Sequence, residues 1–162
     1  MNTPKRYHPF LVTMHWLTVL LMLGAGFLAD DHGGPPVNTH MILGALLLAV
    51  LVIRVIVRLT TFIPAIAETG NPFFNRLGGR VHLGLYLSML FILGMGALIA
   101  LRRNLIGYVL SNGTVTRGAG ILGSIHHAGW FAALGLIAVH VGAALYHQFI
   151  LKDNLIARMW YG

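Results

Sequence analysis

Four apolar stretches dominate the sequence, and the polar residues are concentrated in the segments between them. The stretches cover about residues 10–29, 40–59, 81–101 and 126–150. A helix needs roughly 20 residues to cross the roughly 30 Å hydrocarbon core of a bilayer, so each stretch is long enough, or nearly so, to span it. The pattern predicts an all-α integral membrane protein, with one domain over residues 1–162 built as a four-transmembrane-helix bundle.

The first apolar run is too long for a cleavable signal peptide and carries no evident small-residue cleavage site, so we expect it to be retained. A polar, turn-rich link that begins at Asp30 and Asp31 follows it. In the loop between the second and third stretches, a short interfacial helix is expected around Phe73 to Leu77.

Composition supports the membrane class. Apolar residues make up 57% of the chain and charged residues only 9%, whereas soluble domains carry about 25% charge. This excludes a soluble globule, a disordered tail and a nucleic-acid-binding module. The net charge of +7 arises from basic residues clustered between the apolar runs, so they are interpreted as topology signals.

The positive-inside rule gives the orientation. One side of the predicted bundle collects eight basic residues: Lys5, Arg6, Arg54, Arg58, Arg76, Arg80, Lys152 and Arg158. The other side collects three: Arg102, Arg103 and Arg117. Both termini are therefore expected to be cytoplasmic, and the loop near residues 102–125 is expected to face outward.

Histidines are the main candidate functional residues, since the chain has nine histidines and no cysteine. Without cysteine there is no disulfide, thiolate metal site, iron–sulfur cluster or covalent haem attachment. Six histidines lie in or at the ends of the spans, where burial of an ionisable group is costly and indicates function. These are His15, His40, His82, His126, His140 and His147.

Their depths form three levels of two. His40 and His126 open their spans at the outer face. His15 and His140 lie about 21 Å deeper, and His82 and His147 lie roughly 30 Å deeper, near the cytoplasmic interface. In each level the two histidines come from different predicted helices.

Several chemistries could account for these pairs. A single histidine at a span end is usually an interface residue, but six at matched depths are hard to explain that way. Zinc prefers four ligands, a transporter site needs carboxylates that the spans lack, and a proton relay would not need matched depths. Bis-histidine haem ligation fits two of the levels best, namely His40 with His126 and His15 with His140. A third haem would collide with the second, so His82 and His147 are expected to hydrogen-bond and protonate a quinone.

Two further sets of residues bear on such sites. Glycines within the spans, among them Gly26, Gly44 and Gly96, allow a helix or a flat ring to approach closely, or simply reflect the glycine content of transmembrane helices. Arg54 and Arg58 lie one turn apart and either pair with haem propionates or, the favoured interpretation, anchor the helix at the interface.

The sequence resembles the bacterial cytochrome b561 family over essentially the whole chain. The resemblance rests on His15-Trp16, on His40 with Arg54 fourteen residues later, on His82, on Ser124-Ile125-His126, and on the run from His140 to Met159. It implies two haem b groups in a four-helix bundle, with His40 and His126 as iron ligands of the outer haem and His15 and His140 as those of the inner haem. It also implies that His82 and His147 contact ubiquinone and that the protein is multi-pass in the bacterial inner membrane.

Two functions are consistent with this resemblance. The first is a superoxide oxidase, which takes electrons from superoxide at the outer face and passes them to ubiquinone; Arg102, Arg103 and Arg117 would attract the superoxide anion. The second is an electron-transfer cytochrome b subunit that links a dehydrogenase or a periplasmic redox partner to the quinone pool. The compactness of the chain modestly favours the first.

Overall fold

The computed structural model describes residues 6–27, 37–61, 69–111 and 120–160. Within these ranges the structure is helical and contains no strand. The helices are α1 (Pro9–Phe27), α2 (Val37–Thr60), α3 (Pro72–Arg102), α4 (Leu105–Leu110) and α5 (Gly120–Tyr146). A π-helical turn, His147–Leu151, continues α5, and a 3₁₀ helix, Leu155–Met159, follows it. Four of the described helices are long and apolar enough to cross a membrane, as the sequence predicts.

The third and fourth spans begin earlier than predicted. Helix α3 begins at Pro72 rather than near residue 81, because Asn71 caps it by accepting a hydrogen bond from the Phe73 amide (2.9 Å) and Pro72 favours a first helical position. The separate interfacial helix expected around Phe73 is therefore wrong; those residues are the first turns of α3. At 31 residues, α3 measures about 46 Å and exceeds the thickness of a bilayer core.

Helix α5 begins at Gly120 rather than at His126. His126 therefore lies in the second turn of α5, about 9 Å from its start, and not at its first residue. The polar link after α1, which includes Asp30 and Asp31, lies outside the described residues.

The helices pack as two hairpins. Helix α1 runs along α2 and α3 runs along α5, while α2 and α3 meet over a much shorter stretch. Between the hairpins lies one cluster of buried side chains to which all four long helices contribute. Its members are Met22, Leu47, Leu51, Met89 and Ala133.

The outer surface of the bundle is apolar. Large side chains such as Leu20, Leu59, Leu87 and Phe131 are more than half exposed. A soluble protein rarely leaves so much continuous apolar surface in water, whereas lipid is a suitable solvent for it. The chain is a multi-pass membrane protein.

The N-terminal and C-terminal segments meet at one end of the bundle. The Tyr7 amide donates a hydrogen bond to the carbonyl oxygen of Arg158 (3.3 Å), and the Trp16 indole N–H donates to that of Met159 (3.0 Å). The rings of Trp16 and Trp160 lie edge to face, with centroids 6.0 Å apart. These contacts place the described ends of the chain on the same side, as four antiparallel spans require.

Candidate functional site

Two pairs of histidines face each other between the hairpins. The first is His40 of α2 with His126 of α5, whose ring centroids are 5.9 Å apart with the ring planes at 86°. His40 Nδ1 lies 2.8 Å from the carbonyl oxygen of Ala25, to which it donates a hydrogen bond as the Nδ1–H tautomer. That bond fixes the ring and leaves Nε2 without a proton, as in a metal-ligating histidine.

A glycine makes room for the partner ring. A Cβ atom at Gly96 of α3 would lie 3.3 Å from Cε1 of His126, which is tighter than ordinary van der Waals contact. Among the described residues, Nδ1 of His126 is buried with no hydrogen-bond partner.

The second pair is His15 of α1 with His140 of α5. Their ring centroids are 6.3 Å apart and the ring planes meet at 62°. Nδ1 of His15 lies 3.0 Å from a guanidinium nitrogen of Arg54 in α2, from which it accepts a hydrogen bond because a guanidinium only donates. In the neutral ring this places the proton on Nε2, so ligation of a metal ion through Nε2 would require Nδ1 to take up the proton and this bond to break. A half-buried cation therefore lies directly beside this pair.

The spacing in both pairs suits one metal ion between two imidazoles. A metal–imidazole bond of about 2 Å on each side of an ion places the ring centroids about 6 Å apart. Within the described part of the chain, no group of three or more histidine, cysteine, aspartate or glutamate side chains is arranged to hold a metal ion. Two facing histidines in a bundle core are a common way to hold haem iron.

The two pairs are separated by the buried cluster at the centre of the bundle. His126 and His140 are fourteen residues apart on α5, or about 21 Å along its axis. Ala133, midway between them, is fully buried, and Met22, Leu47, Leu51 and Met89 surround it. An apolar layer therefore separates the two sites.

His82 does not lie against His147 in the described structure. Its ring contacts that of His140, with centroids 5.0 Å apart and planes at 82°. Its Nδ1 lies 2.8 Å from the carbonyl oxygen of Gly78, one turn earlier in α3. The residue is exposed on the bundle surface, so His82 borders the inner pair from the side of α3.

His147 has a different partner. It is 7% exposed, and its Nδ1 lies 2.6 Å from a carboxylate oxygen of Asp153, whose side chain is 29% exposed. The short distance is that of a charge-assisted hydrogen bond. The chain therefore joins a buried imidazole to a carboxylate that reaches solvent, at the end of the bundle where the two described chain ends meet.

The arginines singled out in the sequence occupy different environments. Arg102 and Arg103 are exposed at the end of α3, and Arg117 lies outside the described residues. Arg54 and Arg58 both turn inward: their guanidinium carbons lie 5.7 and 5.8 Å from the ring centroid of Tyr86. The hydroxyl of Tyr86 is buried.

Comparison with known proteins places this arrangement in a family. The family model described as prokaryotic cytochrome b561 matches residues 6–162. The chain belongs to the prokaryotic cytochrome b561 family. Membership confirms the resemblance noted from the sequence, and it implies haem b binding and electron transfer within a membrane.

Individual relatives are similar to this chain over nearly their whole length. Cytochrome b561 homolog 2 of Escherichia coli is 30% identical, with 98% of this chain and 93% of the relative covered. Cytochrome b561 homolog 1 of the same organism is 25% identical, with 96% and 97% covered. A protein named probable superoxide oxidase CybB, from Yersinia pestis, is 25% identical, with 96% of each chain covered.

The sequence analysis did not single out Asp153, which in this cytochrome b561 pairs with the candidate residue His147. It lies six residues after His147, beyond the last apolar span, where a single acidic side chain is easily interpreted as a solvated loop residue. A usable signal was present: with only four acidic residues in the chain, a carboxylate close to an intramembrane histidine is uncommon. The break in helical geometry that brings the two together was not visible in the sequence.

Proposed function

We propose that this cytochrome b561 oxidises superoxide at the outer face of the bacterial inner membrane and reduces ubiquinone near the cytoplasmic face. The observation that carries the proposal is the pair of facing histidine sites, each bridging the two hairpins. They lie about 21 Å apart along α5, which is a route for electrons through most of the bilayer. The name of the Yersinia pestis relative, probable superoxide oxidase, supports the choice of electron donor.

The reaction balances for two superoxide anions and one quinone. Each superoxide loses one electron and leaves as dioxygen. The quinone gains the two electrons and two protons and leaves as quinol. Both protons come from the cytoplasmic side, where the positive-inside count places the chain ends.

Four histidines would hold the cofactors. His40 and His126 suit an outer haem b, and His15 and His140 suit an inner one, by the ring spacings of 5.9 and 6.3 Å. When bound, haem b supplies a centre that accepts and releases one electron at a time. The chain contributes the fixed orientation of the His40 ring through Ala25 and the apolar layer around Ala133.

Positive side chains would act at both ends. Arg102 and Arg103, exposed at the end of α3, and Arg117 in the same outer loop would raise the local concentration of superoxide. At the other end, the half-buried Arg54 beside His15 would stabilise negative charge near the inner site, either a carboxylate or an added electron. His82 and His147 would contact the quinone, with His147 as the proton donor.

The experiment is stopped-flow haem absorbance of the purified, oxidised protein mixed with superoxide, repeated with a water-soluble ubiquinone analogue. Rapid haem reduction by superoxide, followed by reoxidation on addition of quinone, is the expected result. Haems that stay oxidised with superoxide but equilibrate with quinol would overturn the donor and favour an electron-transfer subunit with a protein partner. A purified protein without haem would overturn both functions.

A further inference from the structure

The end of α5 departs from α-helical geometry at a functional residue. The turn from His147 to Leu151 is π-helical, a rare geometry that occurs mostly as single turns and often at functional sites. It ends at Lys152, which adopts the left-handed conformation (φ 54°), as does Asn154 (φ 56°). Non-glycine residues seldom adopt this conformation, so the chain here is held in its path by specific contacts.

Those contacts converge on Asp153. Its amide donates to the carbonyl oxygen of His147 (3.3 Å), so the backbone closes back on the start of the π-helical turn. One carboxylate oxygen accepts from the amide of Leu155, the first residue of the 3₁₀ helix (3.1 Å). The other accepts from Nδ1 of His147 at 2.6 Å. The left-handed residues and the wide turn together aim this carboxylate at the imidazole.

The pairing fixes the chemistry of His147. A carboxylate only accepts hydrogen bonds, so Nδ1 carries a proton and Nε2 is the nitrogen left for a substrate. When Nε2 is also protonated, the negative carboxylate stabilises the resulting imidazolium. His147 can therefore donate a proton from Nε2 and afterwards, as the neutral ring, accept a hydrogen bond at the same atom.

We propose that Asp153 is a positioning residue for quinone reduction: it holds His147 so that this residue can donate a proton and then be protonated again. This inference rests on the proposed function. As the quinone gains its two electrons, which superoxide supplies in the proposed reaction, the N–H bond at Nε2 of the imidazolium breaks and an O–H bond forms at one carbonyl oxygen. Water supplies the proton for the other carbonyl oxygen. After the quinol leaves, neutral His147 regains a proton at Nε2 from water of the cytoplasmic side, while Nδ1 keeps its own proton against the carboxylate of Asp153.

Replacement of Asp153 by asparagine separates this role from a structural one. Asparagine has nearly the same shape, and its carbonyl oxygen can still accept from the Leu155 amide. Its amide group, however, donates to Nδ1 and forces the opposite tautomer, in which neutral His147 carries a proton on Nε2 that it cannot readily release. The ring can still hydrogen-bond a quinone carbonyl, so binding is retained while proton donation is lost.

The test measures reoxidation of the reduced, haem-loaded full chain by a water-soluble ubiquinone at a series of quinone concentrations. For Asp153→Asn we expect the maximal rate to fall by at least about tenfold, with little change in the quinone concentration that gives half of it. Asp153→Glu should recover part of the rate. In a His147→Gln background, Asp153→Asn should have almost no further effect, because both changes then act on the same proton.

Asn154→Gly is the matched control. It lies in the same turn, keeps the left-handed conformation without strain, and loses only the side-chain contact with Gln148 (3.4 Å). Its rate should equal that of the unmodified protein. If Asp153→Asn does not retain haem, Asp153→Ala serves instead: a rate that increases with added formate supports the proposal, and a rate indifferent to formate overturns it.

The remaining outcomes are also decisive. An Asp153→Asn protein with an unchanged maximal rate, or with only a raised half-saturating quinone concentration, would overturn the role of Asp153. An equal loss of rate in Asn154→Gly would likewise overturn it, because the effect would then belong to the turn as a whole. Failure of the unmodified protein to be oxidised by quinone is a different result, and it would overturn the proposed function itself.

Discussion

His15 and His140 face each other across the boundary between the two helix hairpins, with their ring centroids 6.3 Å apart. His40 and His126 repeat this relationship at 5.9 Å. In each pair one ring comes from the α1–α2 hairpin and the other from α5, so a group held by both rings would also tie the hairpins together. The two sites share α5 but no histidine, and they should therefore be separable by mutation.

Loss of one ligand should remove one haem and spare the other. For either His15→Ala or His40→Ala we expect the haem content of the purified protein to fall by about half, because a single imidazole holds haem iron much more weakly than two. Haem extracted as its pyridine complex and compared with protein concentration gives the ratio. His127→Ala is the control, since His127 is exposed and lies against Phe131. Full loss of haem in both variants would contradict two separable sites.

Removal of the cation beside His15 should lower the reduction potential of one haem. The guanidinium of Arg54 lies 3.0 Å from Nδ1 of His15, and a nearby positive charge favours the reduced, less positive iron. For a guanidinium roughly 8 Å from the iron and an effective dielectric constant of about 20, the interaction between the two charges is about 2 kcal/mol, or about 90 mV for one electron. Arg54→Gln should therefore shift one of two potentials downward in a redox titration followed by haem absorbance.

Arg103→Gln provides the comparison for that titration. Arg103 is exposed at the other end of the bundle, where water and salt screen its charge, so neither potential should move by more than a small fraction of that shift. An Arg54→Gln protein with both potentials unchanged would show that the charge is too well screened to act on the inner site. Equal shifts in both haems would place Arg54 between the sites rather than beside one.

The sequence was sufficient to predict the fold and the histidine pairs because both follow from coarse regularities. Apolar runs of membrane-spanning length predict four helices, and a rise of 1.5 Å per residue places His126 and His140 at separate depths. Depth along the spans and origin in different helices were enough to predict the pairs His40–His126 and His15–His140. The structure then brings these same residues together.

Features that depend on local hydrogen bonds were not predictable in this way. The early start of α3 depends on the Asn71 cap, which acts outside the apolar run. His82 and His147 have matching depths along their predicted helices, but the ring of His82 lies against that of His140. The link between His147 and Asp153 requires a π-helical turn and two left-handed residues, and no periodicity of apolar positions encodes these.

Neutralisation of the outer arginines should slow the reaction with superoxide only at low salt. Arg102 and Arg103 are exposed, and the attraction between an exposed cation and a small anion is screened within about 10 Å at 0.1 M salt. For Arg102→Gln with Arg103→Gln we expect a two- to tenfold lower rate of haem reduction near 0.01 M salt and almost no difference near 1 M. Stopped-flow absorbance over a salt series measures this.

The same double change at the other end of α3 is the control. Arg76 and Arg80 are exposed there, so Arg76→Gln with Arg80→Gln preserves the change in net charge but not its position. A similar decrease in rate for both double variants would mean that net charge alone attracts superoxide. An unchanged salt dependence in Arg102→Gln with Arg103→Gln would remove these residues from the attraction.

A methyl group at Gly26 should destabilise the contact between the hairpins. A Cβ atom there would overlap the indole ring of Trp130, which packs from α5 against α1. The rigid ring has few ways to yield, and overpacking of this kind costs about 1–3 kcal/mol. Gly26→Ala should therefore lower the Tm of the purified protein, measured by circular dichroism, whereas Gly142→Ala should not, because a Cβ atom there meets nothing within 4 Å. Trp130→Phe removes the larger ring, so Gly26→Ala should cost much less in that background; an equal cost would show that Trp130 is not the cause.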